Sequence, residues 1–120
     1  MSCTFQVQDE VVWDASNTVA RLYTAQVEAV AGTLGLASGI GEIVEDECEI
    51  DPPTLEGFLG ELLRQYHRAT HPILRSLTVG VIATSLVLLD RVGGRLPATD
   101  PDQLGAWTQL RDEHARSMPR

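Results

Sequence analysis

Lysine is missing altogether. All nine basic residues of this 120-residue chain are arginines, and 17 acidic residues outnumber them, for a formal charge of −8. Such a surplus repels nucleic-acid phosphates and anionic membrane headgroups, and it favours solubility or a basic partner. Neither nucleic acid nor membrane is therefore expected among the partners. Arginine in place of lysine, with heavy use of valine and alanine, is what a GC-rich genome tends to encode.

Cysteine is nearly missing too. Cys3 and Cys48 stand alone, without CxxC-type spacing, which argues against a zinc site and against a disulfide framework. Two reduced thiols in a cytoplasmic protein are the expectation. The opening MSCTFQVQDEVVW has neither a basic segment nor a long apolar core, so no secretory signal is read there. No low-complexity tract, linker or internal repeat interrupts the chain, and its length suits one domain over residues 1–120.

Catalytic signatures are absent as well. There is no strand–turn–helix elbow of the GxSxG kind, and Gly39-Ile40-Gly41 lacks the later glycine and lysine of a phosphate loop. Thr84 and Ser85 fall within an apolar helix, where hydroxyls bond back to the preceding turn. His114 lies on the apolar face of the last helix and reads as a hydrogen-bonded core histidine. No catalytic residue and no cofactor is assigned, and the chain reads as a non-enzyme.

What the sequence does contain is one dominant stretch, His71 to Val92, HPILRSLTVGVIATSLVLLDRV. At 100° per residue, Ile73, Leu77, Val81 and Leu88 take one side while Val79, Ile82, Leu86 and Leu89 take the other. A helix apolar all round must be covered all round, as the post of a bundle or as a membrane span. The charge-free run covers only 76–89, short of the roughly 20 residues a span needs, so a buried core helix is expected. Ser76, Gly80, Ala83 and Thr84 form a small-residue strip for close approach of a neighbour.

The rest follows local signals. Phe5 to Trp13 reads as a short strand or small hairpin, though no Asn-Gly or Asp-Gly fixes a turn. Asp14 or Ser16 caps the next helix, which aligns Val19, Leu22, Tyr23, Val27, Val30 and Leu34 and stops at Gly35. Asp51-Pro52 opens a helix with the stripe Leu55, Phe58, Leu59, Leu62, Leu63 and Tyr66, and His71-Pro72 ends it in a tight corner. Gly93-Gly94 closes the central helix, 95–100 is a loop, and Asp100-Pro101 starts a last helix with Leu104, Trp107, Leu110, His114 and Met118 inward.

Residues 36–51 admit two readings, which can also hold in succession. As a short amphipathic helix they place Glu42, Glu45, Asp46 and Glu49 on one outward ridge. As a strand at 47–50 they alternate Cys48 and Ile50 and pair with the N-terminal strand. The fold class expected is mainly α: about four main helices around the buried helix 72–92, with a short N-terminal strand or hairpin.

Three sites carry the functional expectations. The acidic set Glu42, Glu45, Asp46, Glu47, Glu49 and Asp51 suits a solvated face, a hard cation or a basic protein partner, with Glu42, Glu45, Asp46 and Glu49 as the partner-binding ridge; Cys48 and Ile50 occupy places where a calcium loop needs oxygen ligands. Gly57 and Gly60 on the polar side of helix 51–70 leave room for another backbone. His67 and His71 have the four-residue spacing of a helical metal pair. However, Arg64 opposes a cation, His67 points off the apolar stripe towards solvent, and His71 lies past the helix end. No metal is expected; His71 is expected to cap a helix.

Three segments, VWDASN at 12–17, GIGEIVEDECEIDP at 39–52 and ATSLVLLDR at 83–91, together resemble a family of short uncharacterised actinobacterial proteins, a domain of unknown function. The resemblance spans Phe5 to Gly93 and leaves the last helix outside. It implies a bacterial, cytoplasmic protein and lends no residue a role. The reading is then a small acidic cytosolic binding module that docks on a basic protein, such as an immunity or accessory factor, and self-association is compatible with it. The alternative is a small helical enzyme or a small-molecule-binding bundle, with a pocket between the central helix and Trp13, Tyr23, Tyr66 or Trp107.

Overall fold

Two hairpins build a four-stranded sheet where the expectation had only a short N-terminal strand or hairpin. The structure is a computed structural model that describes residues 1–96 and 100–120. Strands β1 (Ser2–Val7) and β2 (Glu10–Ser16) pair antiparallel, and α1 (Asn17–Leu34) follows. Strands β3 (Ile40–Val44) and β4 (Glu47–Ile50) form the second hairpin, and β4 lies parallel to β1, giving the order β2-β1-β4-β3. Then come α2 (Pro52–Arg68), α3 (Pro72–Arg91) and α4 (Pro101–Ala115). This four-stranded mixed sheet with four helices is an α+β fold, which replaces the expected helical bundle.

The strand reading of 47–50 holds and the helix reading of 36–51 fails. Cys48 and Ile50 are buried in alternation with exposed Glu47 and Glu49, and Phe5 sits opposite Cys48 across the parallel ladder. The hairpin turn is made by Glu45 (φ 52) and Asp46 (φ 63), both left-handed. Positive φ at both central residues defines the two-residue turn whose twist matches paired strands. Gln8 (φ 55) plays a similar part after β1. Neither hairpin has a glycine at its left-handed turn positions, so the first was read only as a strand or small hairpin and the second as a strand at 47–50 without its partner β3. Gly39 (φ 82) enters β3 so close to α2 that a Cβ would lie 2.5 Å from the Leu55 backbone nitrogen.

The helix boundaries agree closely with the local signals. Ser16 Oγ accepts from Val19 N–H, Asp100 accepts from Asp102 and Gln103 N–H, and Gly35 (φ 68) stops α1. His71 caps α3, its Nδ1 accepting from Ile73 N–H at 3.2 Å. Asp51 precedes α2 as expected, but its carboxylate accepts from the Thr54 hydroxyl rather than from a backbone N–H. Of the loop expected at 95–100, residues 97–99 lie outside the described residues.

The core lies between the inner sheet face and the helices. Phe5 stacks on Trp13 with ring centroids 4.7 Å apart, and Tyr23 of α1 meets both edge-on at 5.7 Å. Each such pair adds about 0.5–1.5 kcal/mol beyond its buried area. Leu55, Phe58, Leu59, Leu62 and Leu63 of α2 are all buried, as their stripe predicts. In α1 the buried line is Ala20, Tyr23, Val27 and Ala31, while the expected Val19 and Leu22 are exposed.

The central helix is covered over only half its length. Val81 to Leu89 are buried, whereas Ile73, Leu74 and Leu77 are exposed, Leu77 at 71%. The helix packs against α2, α4, α1 and β2; its N-terminal turns stay beside α2, with Arg75 Nε donating to Tyr66 O at 3.2 Å, but leave Ile73, Leu74 and Leu77 bare. Ser76 and Gly80 of the small strip are also exposed, and a Cβ on Gly80 would meet nothing within 4 Å. Among the described residues α3 alone is long and apolar enough to cross a membrane, yet half of its apolar stretch is buried within the protein.

Candidate functional site

The open face of the sheet gathers the carboxylates. Because β1 and β4 are parallel neighbours, Thr4 faces Glu47 and Gln6 faces Glu49 on that face, while Asp14 of β2 flanks Thr4 and Val44 of β3 flanks Glu47. Gln6 is only 8% exposed because acidic side chains stand over it. Its amide donates to Glu49 Oε1 at 2.9 Å and to Glu47 Oε2 at 3.4 Å. Glu49 Oε2 also accepts from the Gln8 N–H at 3.1 Å. A single buried amide thus holds two carboxylates side by side, which fixes their direction.

No cation neutralises this surface. Among the described residues the acidic partners of ion pairs are Glu61, Asp90 and Asp112, on the helices. Asp14, Glu42, Glu45, Asp46, Glu47 and Glu49 stay exposed and in no ion pair. Like charges held close cost free energy in the isolated protein.

The sequence-chosen residues are therefore redistributed. Glu42 lies on β3, Glu49 on β4, and Glu45 with Asp46 in the turn between them, so no helical ridge exists. Glu47, named in the acidic set but left off the expected ridge, joins the patch, as does Asp14, which had been weighed only as a helix cap. The readable signal for Glu47 was its alternation with Cys48 and Ile50. Gly57 is exposed, a Cβ there would meet nothing within 4 Å, and Gly60 is half-buried on the same helix, away from the sheet patch.

The histidines do other work. His67 is half-buried rather than turned to solvent. Its Nε2 accepts from Trp107 Nε1 at 2.9 Å, and its ring meets Tyr66 and Trp107 edge-on, which ties α2 to α4. Off-stripe positions can be covered by a helix that arrives later in the chain. His71 is spent on its cap, and no three His, Cys, Asp or Glu side chains gather as metal ligands among the described residues.

His114 Nε2 lies 2.9 Å from Thr84 Oγ1, and the Thr84 hydroxyl also donates to Gly80 O at 2.9 Å. With its one proton given to the carbonyl, Thr84 accepts from His114, so the imidazole is not placed to activate it. Burial lowers the His114 pKa, which favours that neutral donor form. Ser85 instead meets Tyr23 Oη at 2.7 Å, fully enclosed, and burial raises the tyrosine pKa. Cys3 and Cys48 are free and buried, and burial pushes the Cys48 thiol up to about 12. These groups hold the core together and present no exposed nucleophile.

Two grooves remain. One, of about 350 Å³ and mainly apolar, lies between α1, α2 and α3 and is lined by Gln26, Val30, Leu62, Tyr66, Leu74 and Leu77 among others. The other, of about 550 Å³, runs between α1 and β3, beside Val27, Glu28, Ala31, Leu36, Glu42 and Ile43.

A family model described as a family of unknown function, DUF6086, matches residues 1–120, and the chain belongs to that family. The match includes the last helix, which the sequence resemblance had left outside. No curated protein and no solved structure matches it.

Proposed function

We propose that this is a small acidic cytosolic binding module without catalytic activity, which docks a basic protein surface on the open face of its sheet. The observation that carries the reading is the Glu47–Gln6–Glu49 arrangement, two oriented carboxylates within an acidic surface that no arginine offsets. Oriented charge of one sign steers encounter with a partner of the other sign and fixes its register. An immunity or accessory role in an actinobacterial cytoplasm fits the size, the lysine-free composition and the two free thiols.

The test is capture from the bacterial host followed by affinity measurement on the purified pair. Replacing Glu47→Arg together with Glu49→Arg should weaken binding at least about tenfold, and added salt should slow association in the wild type. The free double variant loses the acceptors of the Gln6 amide but also the like-charge repulsion, and it should keep the wild-type circular-dichroism spectrum. Unchanged affinity in the double variant overturns this reading.

A second reading has its own observation. The apolar groove beside the exposed half of α3 includes Tyr66, with the Arg75 guanidinium 5.2 Å from its ring centroid, and it suits a small apolar ligand with an anionic group. Native mass spectrometry of the purified protein tests it; a stoichiometric copurifying small molecule lost in Leu77→Arg favours this reading over the first.

A further inference from the structure

The sheet ends on two unlike edges. At β2 the chain closes its own edge, with Asp14 N–H donating to Pro119 O at 2.8 Å and Met118 buried beside it. At β3 nothing comparable arrives. The two-residue turn makes Val44 and Glu47, which flank it, the hydrogen-bonded pair. Ile43, one step further on, therefore turns its N–H and C=O away from β4 towards the free edge. The groove against α1 runs along that edge, with Val27 and Ala31 as its apolar lining and Glu28 and Glu42 as charged ones.

An open edge invites any strand, and proteins guard against this with charge, bulges and short strands. Here the register shift sits between Ile40 and Ile43, and the charges are all negative: Glu42, Glu45 and Asp46 on the hairpin, Glu28 on α1. That guard is selective. A second copy would bring the same carboxylates to the same edge and be repelled. An extended segment bearing arginine or lysine would be drawn in.

We infer that β3 accepts an extended basic segment of the partner as a fifth strand. The inference rests on the proposed function and names the form in which the basic partner binds. The segment's backbone bonds to the Ile43 N–H and C=O, small apolar side chains face Val27 and Ala31, and cationic side chains meet Glu28 and Glu42. Main-chain bonds supply affinity in such strand addition and alternate side chains supply specificity.

The probe is a short peptide of alternating valine and arginine, compared with the same peptide N-methylated on alternate backbone nitrogens. Methylation keeps the charge and removes the strand's donors. The full-length protein should bind the methylated form at least about tenfold more weakly. With the unmodified peptide, amide NMR shifts should concentrate at Gly41–Val44 and at Val27. Ile43→Pro removes the edge donor while leaving the Val44–Glu47 pair, and it should cause a similar loss. Should that variant not fold, the methylated peptide on wild type still decides.

Equal binding of both peptides, with shifts at Thr4, Glu47 and Glu49 instead, overturns strand addition and leaves the sheet-face reading standing. Absence of binding by either peptide overturns strand addition, while the captured protein still tests the sheet face separately. Self-association of the free protein through β3, seen as a dimer in sedimentation, also overturns it.

Discussion

The two edges of the sheet are finished differently although both begin as ordinary hairpins. The β2 edge receives the C-terminal tail, with the Asp14–Pro119 bond and Met118 set into the core. The β3 edge receives only a groove and a set of carboxylates. Met118 and Pro119 thus block further pairing at β2, while the β3 edge is guarded by charge of one sign. The same contrast recurs along α3, whose C-terminal half is enclosed while Ile73, Leu74 and Leu77 lie bare.

The comparison can be broken from the open side first. Gly39→Ala forces a Cβ to within 3 Å of Asp51 O and the Leu55 N at a left-handed φ. It should cost about 2–4 kcal/mol, read as a lower chemical-denaturation midpoint, because β3 can no longer seat against the start of α2. A change below the precision of the midpoint would show that β3 is not held there. On the closed side, Met118→Ala should cost about 2–3 kcal/mol by emptying a core position, and the Asp14 amide should exchange faster. A stable variant with a slow Asp14 amide would mean the tail contributes nothing to that edge.

The remaining changes sharpen the contrast by stabilising the protein. Glu45→Asn with Asp46→Gly gives the turn residues that tolerate positive φ, so thermal unfolding should rise by the equivalent of about 1 kcal/mol. A fall would assign the present turn residues a favourable contact that offsets their backbone strain. The smallest effect is at the bare half of α3. Gly80→Ala should gain about 0.5–1 kcal/mol from helix propensity, since the added methyl meets open space. Destabilisation would restore the close neighbour that the small-residue strip first suggested.

Helix ends were legible because capping is local: a hydroxyl or carboxylate, a proline, then a glycine at the far end. The sheet was legible only in part, as a strand or hairpin near the N-terminus and a strand at 47–50 beside it, because its two turns place Gln8, Glu45 and Asp46 where glycine or asparagine normally signals a hairpin. Without that signal, Glu42, Glu45, Asp46 and Glu49 fall as readily on a helical face as on strands, and Glu47 falls off that face. The acidic character of the region was visible in the sequence. The grouping that matters, Glu47 with Glu49 around Gln6, needed the parallel pairing of β1 with β4, a contact between residues some forty positions apart. Exposure of Ile73 and Leu77 was equally hidden, since the composition of a helix does not show where its neighbours end. His67 shows the converse, a side chain off the stripe that Trp107 of a later helix covers.

Residue-resolved amide hydrogen exchange of the free protein tests the unlike edges most directly. Asp14 N–H should be protected, and Ile43 N–H should exchange near the unfolded rate, then slow when the valine–arginine peptide is added. An Ile43 amide as protected as Asp14 in the free protein would contradict this, because the β3 edge would already be occupied.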